Sequence, residues 1–465
     1  MRLPVRVLLG VVTAACLATT LPAQGVVSPP LLLPPNGSST DRAATARPDL
    51  ALLRVSLSST SDWSVVQLVG VHVVDYRVRS VTEGVRIAPA EGGWGMRTAS
   101  GGGGAEIDAV IAMPASDVVL RAKKGYDGTT RATVRPGAGS AVTVAATMNA
   151  DPAIATTNVP RGTLAQAIVQ PPRADARRLA LAFYYPWFTE YGNARLAEKP
   201  AEPRSAVDRA GVRSMTEQAR AHGVDGFVVS WRDNRRDGVG YDLALQAAEQ
   251  TDGYVAPYLE VASLADDSHT TAELAGRVYD SLREALERSA SPAALRSQGV
   301  PVVFSFDTKR LPAVAWRQVL ARLEAEGRPV RLVADIGGAW NDKQWGLHRY
   351  LPNDAPETLA THWSATAMTQ RAGDLLDGTR RLVTATVSPG YDDLRQKGLR
   401  GKLIPRDDGR RYAASWRATS RADPDWILIT SWNEWFEGTS IEPGERSGGQ
   451  ALQQTADLIA GWKAR

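Results

Sequence analysis

The chain has 465 residues, of which 43% are hydrophobic and 22% charged, a balance typical of a soluble protein with two or three domains. Its 54 basic and 50 acidic residues leave a net charge of only +4, and no basic run is interleaved with aromatic side chains. This pattern favours a mixed, solvated surface over a nucleic-acid or membrane patch, so we expect no nucleic-acid partner.

The N-terminus has the pattern of a secretory signal. Arg2 and Arg6 precede an apolar stretch over residues 7–21, and Ala23 offers a small residue for cleavage. We predict a signal peptide at residues 1–23, no transmembrane segment beyond it, and a secreted or cell-surface protein. Cys16 is the single cysteine, so the mature protein would hold no disulfide and no cysteine metal site. The alternative is a lipoprotein signal, in which Cys16 is lipidated.

Three further regions precede the main domain. Residues 24–48 are rich in Pro, Ser, Thr and Ala and are interpreted as a flexible spacer. Residues 49–147 alternate apolar and polar side chains in short runs with glycine-rich breaks, which predicts a small antiparallel β-sandwich-like domain. Its Trp63, Tyr76 and Trp94 could stack on sugars, although aromatic residues in a sandwich more often lie in the core. Residues 148–178 are interpreted as a linker.

From residue 179 to 465, near-continuous apolar strands alternate with amphipathic helices. This alternation indicates a parallel sheet covered on both faces. Seven clear strands and a weaker one at residues 358–363 predict a (β/α)₈ TIM barrel, which typically needs ~250 residues. A doubly wound open sheet is the alternative fold. The strands are predicted at residues 179–187, 225–231, 254–261, 302–306, 330–336, 358–363, 382–387 and 426–432.

The densest group of reactive residues follows the last strand. The segment WNEWFEGTSIEP, residues 432–443, carries Glu434 and Glu437 where a barrel places its active site. A helical turn would bring the Cβ atoms of these two acids within ~5–6 Å. Paired carboxyl groups of unequal pKa are the usual machinery of glycoside cleavage. The alternative is a surface loop whose acids cap the next helix.

Four segments together resemble glycoside hydrolase family 99, the endo-α-mannosidases and endo-α-mannanases. They are AFYYPW at residues 182–187, GVDGFVVSW at 223–231, SPGYDD at 388–393 and the segment at 432–443. By this resemblance, Glu434 is the general base that deprotonates the sugar's own 2-hydroxyl, and Glu437 is the general acid. The reaction would retain configuration through a 1,2-anhydro sugar. Glu260 matches an acid that contacts the sugar, and Phe436 replaces the family's usual histidine.

Other side chains at or beyond predicted strand ends are expected to line the same pocket and bind substrate. These are Tyr185, Trp187, Trp231, Glu260, His362, Tyr391, Trp432, Asn433 and Trp435. The sequence contains no clustered metal ligands and no Gly-x-Ser-x-Gly elbow, so we expect no metal, no cofactor and no serine-hydrolase chemistry.

The sequence therefore predicts a monomeric hydrolase of an α-linked polysaccharide or oligosaccharide, with endo-action on α-mannan favoured. Two alternatives remain open. Phe436 favours a different α-linked cell-wall or capsular glycan. A non-catalytic or transferase-like glycan-binding barrel is disfavoured, because a binding module does not need the acid pair.

Overall fold

The computed structural model describes residues 49–90, 93–98, 102–125, 127–137, 139–147, 153–170, 173–335 and 346–465. The predicted signal peptide, Cys16 and the predicted spacer lie outside these ranges.

The N-terminal domain is a sandwich of two five-stranded antiparallel sheets. One sheet has the order β3-β6-β1-β8-β9 and the other β10-β7-β2-β5-β4. Alternate residues of each sheet, such as Val55 of β1 and Leu68 of β2, point inwards and form the shared core. The strands are β1 Leu50–Ser59, β2 Ser64–Val69, β3 His72–Val81, β4 Arg86–Ala90, β5 Gly93–Thr98, β6 Gly103–Ala112, β7 Val118–Lys124, β8 Thr130–Pro136, β9 Val142–Ala146 and β10 Ala153–Val159.

The sandwich extends into the predicted linker. Strand β10 pairs antiparallel with β7 along its whole length, so the sheet is completed by residues beyond 147. Ala153 and Val159 at its two ends are buried in the sandwich core, whereas Ile154 is exposed and the four residues that follow it are small or polar. The alternation in β10 was therefore too weak to predict a strand.

The second domain is a (β/α)₈ barrel, which confirms the predicted fold. Its eight parallel strands follow the order β17-β16-β15-β13-β12-β11-β21-β18, and a parallel bridge between Leu347 and Val383 joins the two end strands. The strands are β11 Leu179–Tyr184, β12 Gly226–Trp231, β13 Tyr254–Glu260, β15 Val300–Phe306, β16 Arg331–Asp335, β17 Gly346–His348, β18 Thr384–Val387 and β21 Trp426–Ile429. Three short strands lie beside them: β14 Arg296–Ser297, β19 Tyr391–Asp392 and β20 Leu403–Ile404.

The helices pack around the barrel or follow its strands. None of those in the described ranges combines the length and apolar character needed to cross a bilayer. They are α1 Arg161–Ala165, α2 Arg209–Ala221, α3 Asn234–Glu249, α4 Val261–Asp266, α5 Thr271–Leu286, α6 Ala313–Ala325, α7 Pro356–Asp377, α8 Leu394–Lys397, α9 Arg410–Ser420 and α10 Gln450–Lys463, with 3₁₀ turns at Glu287–Ala290, Thr308–Arg310, Gly398–Arg400 and Asp407–Gly409.

The predicted strand at residues 358–363 was wrong, because this segment lies within helix α7. Pro356 occupies the first helical position, where its missing N–H costs no hydrogen bond. Leu359, Trp363 and Ala367 then recur every four residues and are buried on one face. The sixth barrel strand is β17, which at three residues is too short to leave an apolar pattern.

Helix α7 also contacts the sandwich. Ala372 and Leu376 on its C-terminal half form one buried cluster with Leu50 of β1 and Val110 of β6. The barrel therefore covers the sheet that contains β1 and β6 at the positions of Leu50 and Val110.

Candidate functional site

The candidate site is built on the loop that follows the last barrel strand. After β21 the chain folds back on itself, because the Ser431 N–H bonds to the Thr439 carbonyl at 2.9 Å and the Ile441 N–H to the Ser431 carbonyl at 2.8 Å. The Ser431 hydroxyl accepts the backbone N–H of Glu434 at 2.8 Å. This loop fixes the backbone of the residues between 431 and 441.

Asn433 ties the loop to the first barrel strand. Its amide accepts from the Tyr185 N–H at 2.8 Å and donates to the Tyr185 carbonyl at 3.0 Å. The Trp432 N–H adds a bond to the Phe183 carbonyl at 2.8 Å. Asn433 is fully buried, and both of these side-chain hydrogen bonds go to the backbone of Tyr185.

Glu434 and Glu437 have different surroundings. The Glu434 carboxylate is buried and accepts the backbone N–H of Phe436 at 3.0 Å. Glu437 is half-buried, and its two oxygens lie 3.3 Å from the hydroxyls of Tyr350 and Tyr391. Burial, followed by repulsion from Glu437, raises the pKa of Glu434 well above its ordinary value. Burial also raises the pKa of Glu437 to about 7, against the lowering effects of Lys397 and the two tyrosines.

Tyr391 links Glu437 to a further carboxylate. The Tyr391 hydroxyl donates to Asp393 at 2.7 Å, which is shorter than its 3.3 Å contact with Glu437. Asp393 also accepts from Lys397 at 2.6 Å and from the backbone N–H of Lys402 at 2.5 Å. Although burial alone would raise it, these donors lower the pKa of Asp393 below its ordinary value. Asp393 is therefore ionised at neutral pH.

Glu260, at the end of β13, is the third acid of the site. Its carboxylate accepts from the Ser230 hydroxyl at 2.6 Å. Burial raises the pKa of Glu260 to about 7, and repulsion by Glu437 contributes in the same direction. Burial, with charge repulsion from Glu434 and Glu260, also raises the pKa of the Tyr185 phenol well above its ordinary value. Glu260 ends β13, Tyr185 directly follows β11, and Glu434 and Glu437 lie in the loop after β21, so all four lie at the C-terminal ends of barrel strands.

Trp187 and Arg232 lie on one wall of this region. The Trp187 ring is half-buried and lies 4.7 Å from the Tyr185 ring. The Arg232 guanidinium lies 5.3 Å from the centroid of the Trp187 ring and is held by Asp237 at 2.5 Å. Phe436 is also half-buried, with its ring 5.4 Å from that of Phe188. The wall is therefore largely aromatic.

Three of the predicted sugar-binding tryptophans are buried instead. Trp231 points outwards to the helices, where its indole N–H donates to the Ser281 carbonyl of α5 at 2.9 Å. Trp432 packs in the same outer layer against Phe227 at 5.5 Å, and Trp435 is fully enclosed in the inner cluster. None of the three exposes a face on which a sugar could stack.

His362 is not at a strand end. It lies on helix α7 beside Trp363, at 4.8 Å between ring centroids, and burial lowers its pKa to about 4. The histidine that ends a barrel strand is His348, which is fully buried with Nε2 3.1 Å from the Ser305 carbonyl. The prediction of His362 as a site residue rested on the strand that proved to be a helix.

Sequence reasoning missed Tyr350, Asp393 and Lys397. Tyr350 comes two residues after β17, so its position depended on the strand that was not recognised. Asp393 lies inside the segment 388–393, but nothing in the sequence indicates that its carboxylate accepts from the Tyr391 hydroxyl. Within the described ranges, no three His, Cys, Asp or Glu side chains are grouped as metal ligands.

Comparisons with known proteins bear on the fold. No protein-family model and no curated protein matches the chain. A solved structure of the family 99 endo-α-mannosidase from Bacteroides thetaiotaomicron, in complex with bis-tris-propane, matches with a TM-score of 0.51 at 21% identity, covering 61% of this chain and 97% of that one. A second structure of that enzyme gives 0.49 at 19% identity over the same shares. A family 5 glycoside hydrolase from Streptomyces cattleya gives 0.35 at 14%, covering 63% and 82%. The barrel of this chain thus has the fold of a family 99 glycoside hydrolase.

Proposed function

We propose that this protein is a retaining glycoside hydrolase of α-linked polysaccharide, with endo-action on α-mannan favoured, in which Glu437 is the general acid and Glu434 the general base. The observation that carries the proposal is the contact from Glu437 through Tyr391 to Asp393. A non-catalytic glycan binder would have no use for two neighbouring carboxyl groups with raised pKa values.

The contacts of Tyr391 favour a proton on Glu437. A phenol has one proton, and the shorter bond of Tyr391 directs it to the ionised Asp393. The phenolic oxygen of Tyr391 is then free to accept a hydrogen bond from a protonated Glu437. When Glu437 gives its proton to the leaving group, the Tyr350 hydroxyl, 3.3 Å away, can stabilise the carboxylate that forms.

Glu434 is the complementary base. The two neighbouring carboxyl groups repel each other, so they share one proton more readily than they both ionise. Burial alone favours this proton on Glu434, whose pKa is raised further, but the contacts of Tyr391 favour it on Glu437, which leaves the negative charge on Glu434. The bond from the Phe436 N–H orients the Glu434 carboxylate.

The chemistry proceeds in two balanced steps. In the first, Glu434 takes the proton of the 2-hydroxyl, O2 bonds to C1, the C1–O bond to the leaving group breaks, and Glu437 protonates the departing oxygen. In the second, Glu437 takes a proton from water, the water oxygen bonds to C1, the C1–O2 bond breaks, and O2 recovers the proton from Glu434. Two inversions give net retention. The 2-hydroxyl must lie anti to the leaving group, which an α-mannoside satisfies and an α-glucoside does not.

A second candidate substrate is another α-linked glycan with the same arrangement at C1 and C2. Phe436 favours it, because a half-buried aromatic ring beside Phe188 replaces a hydrogen-bonding imidazole with an apolar wall. Hydrolysis of a panel of α-linked polysaccharides, with products identified by mass, distinguishes the two.

The mechanism is tested with two variants of equal shape. Glu437→Gln should slow cleavage of natural glycans by about 10²–10⁴-fold, and should slow α-mannosyl fluoride far less, because its leaving group needs no proton and only the water attack of the second step still uses Glu437. Glu434→Gln should slow both substrates, because the 2-hydroxyl is no longer activated. Glu445→Gln, an exposed neighbour in the same loop, is the matched control and should keep full activity.

Two results would contradict the assignment. One is equal loss of fluoride and natural-glycan hydrolysis in Glu437→Gln. The other is normal cleavage of a 2-deoxy substrate, which has no hydroxyl to act as the nucleophile.

A further inference from the structure

We propose that the outer face of the β1-containing sheet in the sandwich domain is a binding site for the acidic groups of a polysaccharide. It is separate from the barrel site, and the inference holds whichever glycan the barrel cleaves. We call this surface the arginine face and define it as Arg54, Arg77, Arg79, Arg131 and Arg135 with Glu106 and Asp108.

Strand register brings these residues to one side of the sheet. Arg77 of β3, Asp108 of β6, Arg54 of β1 and Arg135 of β8 lie directly opposite one another on neighbouring strands. Residues opposite each other in a sheet point to the same face. The intervening residues of the same strands, such as Val55 and Ile107, fill the sandwich core. The charged row therefore faces away from the core.

A single buried carboxylate organises three of the arginines. Asp108, with 9% of its side chain exposed, accepts from Arg79 at 2.7 Å, Arg77 at 3.1 Å and Arg54 at 3.3 Å. The exposed fraction of the side chain is 43% for Arg54, 53% for Arg77 and 39% for Arg79, so part of each arginine faces solvent. Arginines held in this way lose less entropy when they bind an anion.

The charge of the arginine face is not balanced internally. Glu106 forms ion pairs with Arg54 and Arg79. Glu106 and Asp108 together supply two negative charges, whereas the five arginines supply five positive charges. Among the described residues, Arg135 and Arg131 have no ion pair and no side-chain hydrogen bond, and both are exposed. A surplus of exposed guanidinium groups is suited to carboxylates and phosphates, which arginine binds in a two-pronged geometry.

The arginine face borders a cleft of suitable size. This cleft has a volume of about 440 Å³ and is lined by Arg54, Asp108 and Arg135 together with Gly137, Gly139, Ser140 and Ala141 of the β8-β9 turn. Ligand-binding clefts are typically about 300–1,000 Å³. The turn supplies glycine and small side chains, which leave room for a chain to lie across the strands.

The occupant is assigned as a glycan from charge complementarity and from the companion domain. An acidic polysaccharide repeats its anionic groups along a chain, as the arginine face repeats cations across neighbouring strands. The adjoining barrel has the fold of glycoside hydrolases, so a surface that holds the polymer would raise its local concentration at the barrel.

The test measures binding of the full chain to polygalacturonic acid by isothermal titration calorimetry. Its fully methyl-esterified form has the same backbone without the charge and should bind at least tenfold more weakly. Arg135→Gln should weaken binding to polygalacturonic acid by about tenfold, the value of one charge-assisted hydrogen bond. Because Arg135 has no partner among the described residues, this change should leave the fold intact. Arg77→Gln should have a similar effect.

Arg97→Gln on β5 is the matched control, since Arg97 is an exposed arginine of the other sheet. It removes the same charge and should change affinity less than twofold. Phosphorylated mannan and the same mannan after dephosphorylation form a second pair. A preference for the phosphorylated chain assigns the anion as phosphate, and a preference for polygalacturonate assigns it as carboxylate.

Three results would overturn the proposal. They are absence of binding to both acidic polymers, equal weakening by Arg97→Gln and Arg135→Gln, and equal binding of the charged and neutral forms. Binding to anionic lipid vesicles that equals polygalacturonate binding and also depends on Arg135 would overturn the assignment to a glycan.

Discussion

Glu442 offers a direct test of how burial sets the charges in this protein. It lies in the same loop as the two proposed catalytic acids, but away from Tyr391 and Tyr350. Only 2% of its surface is exposed, and among the described residues the Trp435 indole N–H is the one hydrogen-bond donor that lowers its pKa. The Arg204 guanidinium lies 3.7 Å away, too far for a hydrogen bond. Burial raises the pKa of Glu442 from 4.5 to about 8 despite that cation.

The size of the effect follows from proton linkage. When the pKa of a carboxyl group is higher in the folded than in the unfolded state, the free energy of unfolding falls as pH rises from the pKa of the unfolded state to that of the folded state. For Glu442 this window runs from 4.5 to about 8. At 1.36 kcal/mol per pKa unit, the cost is about 1 kcal/mol at pH 5 and about 5 kcal/mol at pH 9.

Glu442→Gln removes this titration. We expect its free energy of unfolding, relative to wild type, to rise by about 4 kcal/mol between pH 5 and pH 9. Burying an amide instead of a carboxyl adds an offset, but the offset does not vary with pH. Urea unfolding at pH 5, 7 and 9, followed by the fluorescence of the buried tryptophans, measures the difference. Glu324→Gln, an exposed acid on α6, is the control and should show no trend.

Parallel pH profiles for wild type and Glu442→Gln would refute the reasoning. They would mean that Glu442 has an ordinary pKa in the folded protein, through water or a cation that reaches it. The same doubt would then extend to the raised pKa values of Glu434 and Glu437.

The remaining predictions concern the site. Because Glu437 acts as an acid with a pKa of about 7, kcat/KM on natural glycans should fall as pH rises above about 7, and α-mannosyl fluoride should lack this alkaline limb. Tyr391→Phe should lower kcat about tenfold on natural glycans but hardly on the fluoride, since it removes a partner of the acid only. Trp231→Phe should lower the melting temperature and leave KM unchanged, because the indole of Trp231 bonds to Ser281 beneath the helices. A raised KM with an unchanged melting temperature would instead indicate that Trp231 contacts the substrate.

The barrel could be predicted because its strands are apolar over their whole length. β11, β12 and β21 contain only buried residues, and such runs between amphipathic helices are typical of a parallel sheet covered on both faces. β17 escaped prediction because three residues cannot show a pattern. The paired acids were found because they directly follow a long apolar strand.

The direction of alternate side chains along β12 explains why Trp231 lies under the helices. Phe227 and Val229 of β12 face the helices, while Val228 between them faces the inside of the barrel. Continuing that period of two places Trp231 with the helices. When the same rule is applied to β11, Tyr185 falls on the same side as Leu181 and Phe183. These three residues pack together inside the barrel. Strand-end position alone was a weaker guide than the parity of the residue along the strand. The tyrosine contacts of Glu437 depend on loops from three strands and leave no such local signal.

The pairing of the first barrel strand, β11, with the last, β21, has a consequence for how the protein is made. On the ribosome, β11 is synthesised long before β21, its neighbour in the finished barrel, so one edge of β11 stays unpaired until the chain is almost complete. An unpaired edge invites association with other chains. A product truncated before residue 426 would therefore lack the acid pair and leave the barrel open at the same place. Premature termination should yield aggregation rather than a partly active enzyme, and cells that produce this protein would need to shield the incomplete barrel until its last strand emerges.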